Sequence, residues 1–96
     1  MFIVNIRYKV PLEEVDRFLE EHKAFLDEYY AKGYFCLSGR KEPRVGGVIL
    51  CSAKNADEVK TIMKRDPFQH HNLADYELIE FNPTKANKAF QALLAK

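Results

Sequence analysis

Several things are scarce in this sequence. There is no tryptophan, and glycine and proline number four each, so no stretch has the bias of a low-complexity segment or a flexible linker. No apolar run approaches the roughly 20 residues needed to span a bilayer, which argues against a membrane-embedded chain. Neither sign of charge dominates: fifteen Lys+Arg stand against fourteen Asp+Glu, a net charge of +1. The basic surplus of a nucleic-acid-binding domain is missing, and so is an RNP-like aromatic pattern on the strands. The two cysteines, Cys36 and Cys51, are widely spaced and lack metal-ligand spacing, so free, partly buried thiols are expected. The N-terminal Met1-Phe2-Ile3-Val4-Asn5-Ile6-Arg7 alternates like a strand and has no signal-peptide apolar core. The expected compartment is the cytoplasm.

What is present suits one globular domain over residues 1–96, with 47% hydrophobic residues. A domain this small buries only about 60–65% of its unfolded surface, and oligomerisation is a common remedy. Residues 2–9 alternate with period two, as a strand does. Pro11 and the acidic Glu13, Glu14 and Asp16 suit a helix start. Val15, Phe18, Leu19, His22, Phe25, Leu26, Tyr29 and Tyr30 then recur at helical spacing up to Gly33, a left-handed stop. Tyr34–Ser38 and Gly47–Ser52 read as strands of an antiparallel hairpin joined by a polar connection. Asn55 caps a second helix with Ala56, Val59, Ile62 and Met63 inward, and Pro67 ends or redirects it. Tyr76–Phe81 is a fourth strand stopped by Asn82-Pro83, and a short amphipathic helix follows with Ala86, Ala89, Phe90, Leu93 and Leu94 on one side.

The order β-α-β-β-α-β is that of a ferredoxin-like α+β sandwich, extended here by a C-terminal helix. Two helices on one sheet face leave the other face wet, yet the strands carry apolar residues at both parities: Phe35/Leu37 and Tyr34/Cys36, Val48/Leu50 and Ile49/Cys51. A second copy of the chain, packed sheet to sheet, is the economical cover. The chain's own tail is the competing one.

His22 is the odd residue of the long helical pattern. Its neighbours one turn away, Phe18, Leu19, Phe25 and Leu26, are all apolar, so the imidazole points to the core or its rim. Packing alone would have it bond a backbone carbonyl. Chemistry would use it as a proton shuttle, the role to which imidazole is best suited. Asp66, before Pro67, is a natural helix cap. It would also serve as the orienting partner of His22 if the two helices, packed on one sheet face, bring them together. Ser38 and Gly39, at the end of the second strand, are a strand terminus or a polar binding edge. Phe68 joins them as a candidate pocket residue, although core packing is the plainer role for this ring and for Tyr29, Tyr30 and Tyr34. Gly46-Gly47 reads as a flexible re-entry into the third strand. His70-His71, with Asp75 nearby, reads as a solvated turn, because adjacent histidines diverge.

Taken in order, His22, Ser38-Gly39, Gly46-Gly47, Asp66-Pro67-Phe68 and the Leu73…Tyr76-Glu77-Leu78-Ile79-Glu80-Phe81-Asn82-Pro83 segment resemble the YCII-related (YciI-like) family, from Met1 to about Pro83. The resemblance implies a dimeric α+β barrel of ferredoxin-like subunits, similar to muconolactone isomerase. It also implies a His–Asp active site, carried here by His22 and Asp66, with Ser38 and Gly39 as pocket lining. Some relatives are dehydrochlorinases acting on chlorinated aromatic rings. Two positions depart from the family pattern: Arg40 stands where many members have proline, and Leu19 where an arginine often precedes the histidine by one turn. Arg40 and Lys41 would favour an anionic substrate, the plainer reading being a solvated loop.

The functional expectation is a small enzyme, with His22 and Asp66 catalytic and Ser38, Gly39, Arg40 and Phe68 binding substrate. It would carry out elimination, such as dehydrochlorination, or isomerisation on a small cyclic or carbonyl compound, with no metal and no cofactor. The expected partners are that substrate and a second copy of the chain, without nucleic acid or membrane. A non-catalytic dimeric module that binds a metabolite is the alternative. A nucleic-acid-binding ferredoxin-like domain is a weaker third, which salt-sensitive binding would reveal.

Overall fold

The computed structural model describes residues 1–95. Four strands, β1 (Phe2–Tyr8), β2 (Phe35–Arg40), β3 (Gly46–Cys51) and β4 (Ala74–Glu80), form one antiparallel sheet in the order β2-β3-β1-β4. Helices α1 (Leu12–Asp16) and α2 (Leu19–Ala31) connect β1 to β2, and α3 (Ala56–Met63) and α4 (Pro67–His70) connect β3 to β4. The βαββαβ order expected from the sequence is therefore present. No helix among the described residues is long and apolar enough to cross a membrane.

The core lies between one sheet face and the helices. Phe2, Val4 and Ile6 of β1 meet Cys51 and Ile49 of β3 on that face, under Val15, Phe25, Tyr29, Val59, Ile62 and Met63. Both cysteines are free, and burial pushes the Cys51 thiol up to about 11. Local signals act as their chemistry predicts. The Asn55 side chain accepts the Glu58 N–H at 2.9 Å, and Gly33 takes a φ of +85° just past α2.

Three irregularities depart from the sequence reading. The single long helix is two, broken at Phe18, whose φ of −112° and ψ of 10° leave helical geometry. No glycine or proline marks the step, so the apolar spacing runs straight through it. The second departure is a register shift in β2 between Phe35 and Leu37. Phe35 pairs with Cys51 on the core side, while Leu37 pairs with Leu50 on the outer side and is 48% exposed. Alternation alone would place both on one face. The bulge at Cys36 separates them and turns Ser38 and Arg40, opposite Ile49 and Gly47, toward the helices. Third, the C-terminal segment Lys88–Ala95 is a 3₁₀ helix rather than an α-helix.

The outer sheet face is partly covered by that segment. Phe90, Leu93 and Leu94 approach Met1, Leu37, Leu50 and Phe81 at one end of the sheet. Val48 and Ile79 stay 37% and 45% exposed.

Gly46 is not a flexible re-entry. A Cβ built there would lie 1.8 Å from the Ile6 carbonyl oxygen, a contact with backbone that no rotamer relieves. At Gly39 an added Cβ meets nothing within 4 Å. Gly46→Ala is therefore expected to destabilise the fold by about 3 kcal/mol or more, and Gly39→Ala by less than about 1 kcal/mol. Urea unfolding of the two variants measures the contrast, and equal midpoints would contradict it.

Candidate active site

α2 and α4 pack on the same sheet face, and this brings His22 to Asp66. The His22 Nδ1 lies 2.8 Å from Asp66 Oδ1. Asp66 is 0% exposed and the His22 side chain 13%. Asp66 also caps α4, because its Oδ1 accepts the Phe68 N–H at 3.1 Å. Capping and partnering are thus not alternatives, since one carboxylate oxygen does both. The second oxygen, Oδ2, accepts the Tyr76 hydroxyl at 2.5 Å. Both carboxylate oxygens are satisfied, and no buried side-chain polar atom among the described residues is left without a partner.

Tyr76 was not singled out in the sequence, where a tyrosine in a strand is ordinary. Its register opposite Ile6 turns it toward the helices, where it meets Asp66. Burial and then the Asp66 charge push its hydroxyl well above the usual tyrosine range, so it remains a neutral donor. With the carboxylate accepting from Tyr76 and from the Phe68 N–H, Nδ1–H is the donor to Oδ1. In the neutral imidazole this tautomer leaves Nε2 of His22 as the acceptor nitrogen.

The imidazole is fixed from beneath as well. Its ring stacks on Phe68 with centroids 4.0 Å apart and planes at 9°, and Tyr8 meets Phe68 edge-on at 5.8 Å. Phe68, expected to bind substrate, is 1% exposed and does not line the cavity beside His22. It supports the ring from behind.

That cavity has a volume of about 340 Å³, lies between α2 and the sheet, and has His22 in its wall. Ser38, Gly39 and Arg40 all border it. The Ser38 hydroxyl already shares a 2.6 Å hydrogen bond with Tyr30. Gly47, opposite Ile6 and Arg40, contributes floor without a side chain. Three further polar groups, Tyr8, Lys23 and Arg44, were missed by sequence reasoning. Arg44 sits in the β2–β3 connection and reaches back to Asp16 at 2.5 Å. His70 and His71 are exposed, His71 stacks on Phe18 at 4.1 Å, and the described residues hold no metal-ligand cluster.

A four-stranded α+β sandwich with a cavity-side imidazole on a buried carboxylate defines the class. The YCII-related domain profile matches residues 1–82, and the chain belongs to that family. No curated protein sequence matches it significantly. Among solved structures it is similar to 5-chloro-2-hydroxyhydroquinone dehydrochlorinase from Burkholderia phenoliruptrix, in complex with 2,5-dihydroxybenzoquinone. The TM-score is 0.70 at 19% identity, over 84% of this chain and 93% of that one. The likeness is one of fold.

Removing the Tyr76 hydroxyl leaves a buried carboxylate short of one donor. Tyr76→Phe is expected to cost about 1.5–3 kcal/mol, the range for hydrogen bonds to charged groups. The pH dependence has a definite sign. The folded state holds the Tyr76 proton more tightly than the unfolded chain, whose tyrosine releases it near 10.0. Stability from this group is therefore full below that pH and lost progressively above it. Tyr76→Phe removes its share of the alkaline loss, which thermal melts from pH 8 to 11 would detect.

Proposed function

We propose that the chain is a small enzyme that moves a proton on a cyclic or carbonyl-containing molecule. His22 is the general base and acid, and Asp66 is its orienter and charge partner. The observation that supports this best is the 2.8 Å bond from Nδ1 to a fully buried carboxylate, with the imidazole in a cavity wall. Asp66 fixes the tautomer, and Nε2 then meets whatever the cavity holds. In an elimination, Nε2 takes a proton from substrate. The released electron pair moves through the conjugated system and chloride departs with the pair from its own C–Cl bond, so HCl is lost overall. In an isomerisation the proton returns to a different carbon. The dehydrochlorinase of similar fold supports elimination as the first chemistry to try. Neither route needs an oxidant, and the two side chains suffice for the proton transfer. Two free cysteines suit a reducing compartment, in keeping with a cytoplasmic enzyme.

The test is turnover on a panel of chlorinated hydroxyhydroquinones and unsaturated lactones, read as chloride release or absorbance change. His22→Ala is expected to lower kcat by about 10²–10⁴-fold while the melting curve stays cooperative. Ligand binding with no turnover by the native chain, and none lost in His22→Ala, would make the cavity a holding site instead.

The enzyme is further proposed to work as a homodimer through the outer sheet face. Leu37, Val48 and Ile79 are 48%, 37% and 45% exposed there, beside Ile3 and Leu50. Exposed apolar residues grouped on one sheet face are what a partner copy would cover. Light scattering should give twice the 11.2 kDa chain mass, and Val48→Glu with Ile79→Glu should give a monomer. A native monomer would sink this assembly.

A further inference from the structure

Lys23, Arg40 and Arg44 all line the cavity beside His22, and among the described residues no carboxylate side chain does. Their acidic partners lie outside it: Glu20 is 3.6 Å from Lys23, Glu42 is 3.7 Å from Arg40, and Asp16 is 2.5 Å from Arg44. The first two pairs are long and well exposed, at 58%/91% and 71%/83%. Such contacts contribute little, so a ligand anion can replace them at small cost. Arg44 is different. Its side chain is 28% exposed, and it is braced by Asp16 on α1. A guanidinium carries five N–H donors, and the Asp16 contact is made from Nη2 alone. The other donors belong to a planar fork of the kind that suits carboxylates and enolates. Apart from these cations, His22, Tyr8 and Ser38, the wall is mostly apolar, with Leu19 and Leu26 of α2 and Ile6 and Ile49 of the sheet.

We propose that the cavity recognises its substrate by an anionic oxygen, a carboxylate or an enolate on a small flat molecule, held by Arg44 with Arg40 and Lys23 at the rim. This rests on the proton-transfer reading above and adds what the ring nitrogen acts beside. Charge that develops on an oxygen as His22 removes a proton would face the same cations, so recognition and catalysis would share one set of groups.

The test is binding of salicylate and of its neutral counterpart salicylamide, followed near neutral pH by calorimetry. Salicylate is expected to bind about tenfold or more tightly than salicylamide, with the advantage shrinking as salt is raised. Arg44→Gln should abolish most of that advantage and leave salicylamide binding unchanged, while Arg44→Lys should retain part of it. Should Arg44→Gln not fold, the doubly exposed pair Lys23→Gln with Arg40→Gln carries the test, with a smaller but salt-dependent loss. Equal affinity for the two probes, no binding of either, or an advantage that survives these substitutions would overturn the proposal. His22→Ala separates the two readings. Anion preference should persist in that variant, because it does not depend on turnover. Loss of turnover in His22→Ala without any anion preference in the native chain would sink this proposal alone. A preference for salicylate with turnover indifferent to His22 would sink only the proton-transfer reading.

Discussion

A single buried carboxylate holds the site together. Asp66 is fully enclosed, and it accepts from three places at once: the His22 ring on α2, the Tyr76 hydroxyl on β4 and the Phe68 N–H at the start of its own helix α4. An isolated carboxylate taken out of water costs several kcal/mol, which only a full set of donors offsets. The three elements are therefore tied to one point by a constraint stronger than apolar packing, which tolerates small slips. Stacking of the His22 ring on Phe68 adds a second restraint on the same imidazole. A ring held in its plane by an aromatic face and in its tautomer by a carboxylate has little freedom left, and that is the condition a proton-transfer group needs.

His22 was legible in the sequence because it breaks a local rule, and Asp66 because it marks a helix start at a break in the pattern. A titratable residue interrupts an apolar stripe, and a carboxylate precedes proline at a helix break. The strands, the Asn55 cap and the Gly33 stop were legible for the opposite reason, since each obeys one. What stayed hidden has no local signal. Phe18 is an ordinary helix-face residue, and only the backbone shows that the helix breaks there. Tyr76 looks like any strand aromatic until the register with Ile6 turns it toward Asp66. Arg44 looks like loop charge until the chain folds it back onto Asp16. Gly46 looks flexible, yet it is glycine because the Ile6 carbonyl occupies the place of a side chain. Each depends on a contact across the fold, and periodicity carries no information about those.

The Cys36 bulge links the two faces of the sheet. Without it, Phe35 and Leu37 would share the core side and Ser38 would point outward. With it, Leu37 joins the exposed apolar patch, while Ser38 and Arg40 turn into the cavity wall. One extra residue in an edge strand thus supplies both an apolar group for the outer face and polar groups for the inner one. The arrangement also makes the two surfaces mechanically dependent. Cover placed on Leu37 from outside bears on the backbone that carries Ser38 and Arg40 inside. The proposed second copy, closing that sheet face, would then stiffen the polar rim beside His22 through this one strand.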